Sequence, residues 1–363
     1  MLTRRSVFLS ITAGFVTSLL ATGCQSAGVV DKAGGNVIVL RLATIDDLDS
    51  NGQTIAPATF IKTLERVSGG RMKTTLQTSY ENGSVTAETD IVKAIISGKL
   101  DGGWPSTRGF SRAGIRSLEP VEAPLTLTSY AAQKALVTGP AGRALLSTLK
   151  GSGLVGLGLS VGPLRRPWST LAPLVDVRHW HGATFRSYNS PMQEKTIRAL
   201  GGVPVPASFG FPDLVESGKL RGAETDVAQY AKNEYGALLP WAVGNEVLWP
   251  RTLVLSLSQT RFNSLTAEQQ GWIRDAAKEA VDASVNFGYD DNALAVQLCS
   301  VGVRFIDANP EQLKALRRAV QPVIDALARD PATSPSLAQV RGVAAKFPSP
   351  ETVRVPAACR KPQ

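Results

Sequence analysis

The sequence predicts a two-lobed α/β protein in which one long helix reaches across both lobes. Strand-like and helix-like segments alternate through most of the chain, a pattern that favours mostly parallel sheets covered by helices on both faces. With an N-terminal leader set aside, about 340 residues remain, too many for one ordinary core. From Thr266 the helical pattern continues with few breaks to about Leu298. A helix of roughly 30 residues would be about 45 Å long, more than one lobe needs.

The leader comes first. Arg4 and Arg5 precede an apolar stretch from Val7 to Leu20, which is short for a membrane span and reads as an export signal. Leu20-Ala21-Thr22-Gly23-Cys24 follows and resembles a bacterial lipobox, so 1–23 reads as a lipoprotein signal peptide with Cys24 the lipidated residue. Thr3-Arg4-Arg5-Ser6-Val7-Phe8-Leu9 also resembles a twin-arginine signal, and either export route fits. Small and polar residues over 24–36 suit a flexible tether between lipid and fold.

Val37 to Ala43 is apolar and β-branched, a buried strand. Ile55, Ala58, Ile61 and Leu64 lie at helical spacing, and Gly69-Gly70 ends that helix. Met72 to Thr78 alternates as a strand, Ile91 and Ile95 mark a helix, and Leu100 to Trp104 reads as the next strand. Helices near 129–137 and 140–150 and a strand over 154–159 complete a first lobe. After Gly162, Ala183 to Arg186 reads as a strand end. Ser190-Pro191-Met192-Gln193 then carries three helix-start signals: a Ser cap, Pro at the first helical position, and Gln three residues after the cap. Val203-Pro204-Val205 reads as an edge strand. Leu253 to Leu257 reads as a strand returning to the first lobe. Thr266 and Asn309 begin capping boxes. The lobes are expected over 37–160 with about 253–285, and over 161–252 with about 286–330. A C-terminal extension, 331–363, is expected to wrap the surface.

Composition narrows the classes. The 43% apolar content suits a globular interior. The net charge of +9 includes Arg4 and Arg5; the remaining Lys and Arg are scattered, and no nucleic-acid motif is present. Nucleic acid is therefore not an expected partner. Cys299 and Cys359 leave two states open: a disulfide in an oxidising compartment, or a buried thiol and a free tail thiol.

Several segments in order resemble the solute receptors of tripartite ATP-independent periplasmic (TRAP) transporters. They include Leu40-Arg41-Leu42-Ala43-Thr44, Ser68-Gly69-Gly70-Arg71 and Ser97-Gly98-Lys99-Leu100-Asp101. The most specific block runs from Gly182-Ala183-Thr184-Phe185-Arg186 to Leu200-Gly201-Gly202-Val203-Pro204-Val205. The resemblance covers nearly the whole chain beyond the leader. It implies a periplasmic-binding-protein-like fold whose lobes close on a ligand about a hinge. It also implies a small organic carboxylate as ligand, large and small TRAP membrane subunits as partners, and attachment to the membrane through the lipid on Cys24. No cofactor and no metal are expected.

The resemblance assigns the carboxylate to Arg186, whose planar fork of donors matches two carboxylate oxygens. The helix N-terminus just beyond, with Asn189 preceding its cap, adds positive potential. A second family arginine falls at Gly162-Pro163-Leu164-Arg165-Arg166; the spacing leaves open which of Arg165 and Arg166 faces the cleft, with Arg165 favoured. Where the family reads Gly-x-Glu-Asn-Pro, this chain has Gly222-Ala223-Glu224-Thr225-Asp226, so Glu224 and Thr225 are candidate contacts and a changed ligand preference is expected. The loop Thr44 to Asp49 brings Asp46, Asp47 and Asp49 to the first lobe's rim, where Asp46 is a candidate for a ligand amine or hydroxyl, or for a cation; a solvated loop is the commoner explanation of such acids. Trp104 is placed to stack on a ligand or to fill the core. Trp241 and Trp249 suit packing near the hinge.

An enzyme is the weaker class. His179-Trp180-His181 lacks the Cys or carboxylate partners of a typical metal site. No Gly-x-Ser-x-Gly elbow is present, and Gly151 to Gly158 lacks the phosphate-loop Lys-Ser/Thr pair. An anchored sensor or scavenging lipoprotein of the same fold, working without a transporter, shares every motif above.

Overall fold

The computed structural model describes residues 37–48 and 54–361. The expected export signal, Cys24, the expected tether and Asp49 lie outside them. Among the described residues no helix is long and apolar enough to cross a membrane.

Twelve strands are described: β1 Ile38–Ala43, β2 Met72–Gln77, β3 Gly102–Gly103, β4 Leu154–Ser160, β5 Leu164–Ser169, β6 Thr184–Arg186, β7 Val203–Val205, β8 Gly222–Thr225, β9 Trp241–Val243, β10 Trp249–Pro250, β11 Leu253–Ser258 and β12 Arg304–Ile306. They form two sheets, one ordered β2-β1-β3-β11-β4, the other β12-β9-β5-β8-β6-β7 with β10 on β5. Each sheet is the centre of one lobe, as the alternating pattern predicts. Neither sheet is mostly parallel. β11 runs antiparallel to both its neighbours, and β5 runs antiparallel to β8, β9 and β10. Both are strands that follow directly on a crossing between lobes, so each enters its sheet against the direction set by the βα units.

The first sheet is covered on one face by the helices Ile55–Val67 and Ala267–Asn286, which bury Phe60, Leu64, Ile273, Ala276, Ala277 and Ala280 against β1 and β11. Alanine on the second helix lets the two helices approach closely. The other face is covered by Ala87–Ile96, Tyr130–Thr138 and Pro140–Ser147. In the second lobe Pro191–Leu200 and Pro310–Arg329 pack on one face and Phe211–Glu216, Val227–Lys232 and Asp291–Ser300 on the other. The predicted caps are present: Ser190 accepts from the Gln193 amide, and Thr266 and Asn309 form reciprocal capping boxes.

The helical stretch that crosses between lobes is interrupted at Phe287 to Asp290. Its first part, Ala267–Asn286, packs on the first lobe; its second, Asp291–Ser300, packs on the second. Asp290 caps the second part by accepting from the Ala293 amide at 3.1 Å. At the break Tyr289 stacks on Tyr130, ring centroids 4.6 Å apart. The C-terminal extension is also more ordered than a wrapping tail: Ser334–Ala344 is a helix with Leu337 and Val340 buried. Cys299 and Cys359 form a disulfide that fastens the end of the chain to the second lobe.

The chain crosses between lobes at Val161–Pro163 and again at Arg251–Thr252. A Cβ on Gly162 would lie 1.8 Å from the Arg251 carbonyl oxygen, so only glycine lets the two crossings run this close. The Gln133 side chain donates to the Gly162 carbonyl at 2.9 Å and fixes the crossing to the first lobe.

Candidate ligand-binding site

A cavity of about 280 Å³ lies between the two lobes. Four guanidinium groups enter it, from Arg108, Arg165, Arg186 and Arg251. Each is placed by a different element and each is held by buried acid.

Arg186 ends β6, and its side chain is almost wholly buried. Its Nη2 donates to the Glu224 carbonyl and lies 3.6 Å from the Glu224 carboxylate. Phe211 and Tyr188 flank it, with ring centroids 4.1 and 4.5 Å from its Cζ. Arg165 lies on β5. Its Nε is 3.5 Å from Glu224, and its Nη1 is 3.1 Å from Asp226 and donates to Thr225 Oγ1 at 3.4 Å. Burial alone would lower the pKa of this guanidinium; Glu224 and Asp226 outweigh that and raise it. Asp226 has a second task, capping the helix Val227–Lys232 through the Gln229 amide at 2.7 Å.

From the first lobe, Arg108 pairs with the buried carboxylate of Glu88. Arg251, at the second crossing, grips Asp46 with both Nη atoms at 2.9 Å and lies 3.6 Å from Glu88. Burial pushes the Glu88 carboxyl up, but Arg108 and Arg251 beside it win and hold it at about 2. Glu88 is therefore a carboxylate at any physiological pH. Buried guanidinium nitrogens at the cavity without a hydrogen-bond acceptor in the protein include Nη2 of Arg108 and Nε of Arg165 and of Arg186. An unpartnered buried donor costs about 1–3 kcal/mol, so such atoms mark where an acceptor from outside the chain would be stabilised.

Of the residues expected from sequence, Arg186, Arg165, Thr225 and Asp46 line this cavity. Four others do not. Arg166 points to the opposite face of β5 from Arg165, because successive strand residues alternate; it donates to the carbonyls of Gly244 at 2.7 Å and Glu351 at 3.0 Å and ties the crossing to the C-terminal segment. Trp104 is fully buried in the first lobe's core, edge-on to Phe60 at 5.3 Å. Glu224 lies behind the arginines as their counter-ion and is itself fully buried. Asn189 lies in a separate surface hollow, where its carbonyl accepts from Arg112 at 2.9 Å.

Arg108, Arg251, Tyr188, Phe209, Phe211 and Tyr235 line the cavity and were not singled out from sequence. Gln229, Lys232 and Asn233, from one end of a short helix, complete the wall. A lone arginine carries no local signal, so Arg108 and Arg251 are not legible along the chain. His179 and Trp180 end a short helix, Val177–Trp180, with His181 at its C-cap, and among the described residues no cluster of metal-ligating side chains occurs.

Two α/β lobes with a cavity between them, into which four guanidiniums turn, are the architecture of a solute-binding receptor. The chain belongs to the bacterial extracellular solute-binding proteins of family 7, whose model matches residues 47–330. It is 22% identical over 253 residues to the C4-dicarboxylate-binding periplasmic protein DctP of Rhodobacter capsulatus, covering 69% of this chain and 75% of that one. Its fold superimposes on a TRAP periplasmic solute-binding protein of Ralstonia eutropha H16 holding (S)-2-acetolactate, with TM-score 0.75, 18% identity, and 85% and 99% of the two chains covered. It superimposes equally on one of Sulfitobacter sp. NAS-14.1 holding β-D-galacturonate, with TM-score 0.74, 22% identity, and 84% and 99% covered. The resemblance to TRAP solute receptors read from the sequence therefore holds, and the family is one of receptors rather than enzymes.

Proposed function

We propose that the protein captures a small hydroxylated monocarboxylate between its lobes and delivers it to the large and small membrane subunits of a TRAP transporter. The ligand carboxylate lies against Arg186 and Arg165. The observation that carries this reading is the buried Nε of Arg186, which has no acceptor in the protein while Nη2 of the same guanidinium is held by Glu224. A carboxylate is the acceptor whose geometry and charge suit a guanidinium fork.

A single ligand charge disturbs the balance of the site less than two. Arg108, Arg165, Arg186 and Arg251 lie against Glu88, Glu224, Asp226 and Asp46, and Lys232 and Asp47 also line the cavity, so a monoanion adds one negative charge to a balanced set and a dianion adds two. The acids Asp46 and Asp47 on the first lobe's wall, with Gln229 and Asn233 opposite, suit hydroxyl groups. The neighbours that hold β-D-galacturonate and galactonate are consistent with such a ligand.

Calorimetric titration with D-galacturonate, D-glucuronate, galactonate and succinate tests the reading. Binding of at least one monocarboxylate, tighter than succinate, is expected. Tighter binding of succinate would remove the single-charge argument, and no binding by any of the four would remove the carboxylate assignment for these ligands.

Export and anchoring through Cys24 complete the proposal, with 24–36 as tether and residues 37–160 plus about 253–285 moving against 161–252 plus about 286–330. Cys24→Ser should release the protein from the membrane fraction and abolish labelling by a radioactive fatty acid.

A further inference from the structure

We propose that Tyr188 is a positioning residue, holding Arg186 ready in the second lobe and receiving Arg108 from the first lobe when the cleft closes. The inference rests on the reading of the cavity as a carboxylate site and adds a residue whose role is to present its cations.

Tyr188 lies two residues beyond the end of β6, between Arg186 and the helix cap Ser190. Its φ is +42°, the left-handed region that a bulky side chain disfavours. That backbone turns the ring back over the strand end. The ring is buried, and its centroid lies 3.7 Å from Cζ of Arg108 and 4.5 Å from Cζ of Arg186. Arg108 belongs to a helix packed on the first lobe, and Arg186 to the second lobe's sheet. One aromatic ring is thus the meeting place of cations from both sides of the cleft.

A guanidinium attracted to a ring's π system keeps its N–H groups for other partners. Each of these two arginines has a buried nitrogen without a hydrogen-bond acceptor in the protein, Nη2 of Arg108 and Nε of Arg186. The ring orients both forks without consuming their donors, which a carboxylate in that place would do. Strain held at a site is a mark of use rather than of folding economy: glycine would relax the backbone here, but only an aromatic ring supplies the π face.

The test compares Tyr188→Phe and Tyr188→Gly with wild type, using whichever of D-galacturonate, D-glucuronate and galactonate binds wild type. Affinity is read by calorimetry and ligand release by stopped flow. Tyr188→Phe keeps the ring and should stay within about twofold of wild type, whereas Tyr188→Gly should lose about tenfold or more in affinity, with faster release. Truncating a buried ring lowers the ligand-free melting temperature and the relaxed backbone returns part of the loss, so affinities are compared below the melting transition of every variant. Tyr188→Asn, which also tolerates positive φ, repeats the comparison if glycine loosens the turn. Wild-type affinity and release in both the glycine and asparagine variants would overturn the inference, and so would equal losses in the phenylalanine and glycine variants. Absence of binding by wild type itself would instead overturn the carboxylate reading beneath it.

Discussion

The guanidinium of Arg186 stands 3.6 Å from the carboxylate of Glu224, and both side chains are withdrawn from solvent. Glu224 serves Arg165 in the same way, at 3.5 Å. One buried acid therefore fixes two cations at the cavity wall.

Arg186→Ala should leave the protein folded and remove most carboxylate affinity, a loss of about 2–5 kcal/mol for truncating one partner of a buried charged hydrogen-bond pair. Calorimetry with the best monocarboxylate checks it, with circular dichroism confirming the fold. Wild-type affinity in this variant would exclude Arg186 from the site.

Glu224→Ala should be a stability variant first. It leaves Arg165 and Arg186 short of a counter-ion in a buried setting, and removing one member of a buried ion pair typically costs about 3–5 kcal/mol. Urea denaturation of the ligand-free protein measures it. Arg186→Ala in the Glu224→Ala background should cost less than in wild type, because the two residues share one interaction.

Stability should fall as pH rises from about 5 to about 8. Burial raises Glu246 to about 8, with Arg166 opposing, and raises Glu122 to about 7, with Arg108 opposing. Burial also lifts Asp291 to about 6. A folded-state carboxyl pKa above its unfolded value means the native state binds more protons between the two, so the stabilisation is complete below the unfolded pKa and lost as pH climbs through the folded one. Thermal melts at pH 5.5, 7 and 8.5 should show a decline, and Glu246→Gln should flatten it. Glu88, held at about 2, works in the opposite sense and only under acid: its contribution is lost as pH falls from about 4.5 toward 2.

Cys299→Ser should lower stability by up to about 4 kcal/mol on the chain-entropy model, since the disulfide closes a segment of sequence separation 60. Denaturation with and without reductant measures the same quantity in the wild-type chain, and the two values should agree. Ligand affinity should change little, because the bond lies in the second lobe away from the cavity walls.

Local signals were reliable where the physics is local. Ser190, Thr266 and Asn309 cap helices because a side-chain oxygen and the amide three residues on satisfy each other within one turn. The apolar runs of β1, β4 and β11 reappear as central or well-covered strands for the same reason. The interruption at Phe287 to Asp290 was hidden because Gly288 is a single weak break, and what ends the helix is the passage to a different lobe and the stacking of Tyr289 on Tyr130. The helix Ser334–Ala344 was masked by the Pro and Ser at its start, and it exists because Leu337 and Val340 find cover on neighbouring helices.

The two-lobed α/β plan, the family and the choice of Arg186 as the cation to watch are legible along the chain, because strand periodicity, capping and the order of motifs are local. Which of Arg165 and Arg166 faces the cavity, that Trp104 belongs to the core, and that Arg108, Arg251 and Tyr188 join the wall emerge from the packed fold. Those are relations between residues distant in sequence, set by how two sheets face each other across a crossing that Gly162 keeps narrow. No periodicity within one segment carries that information.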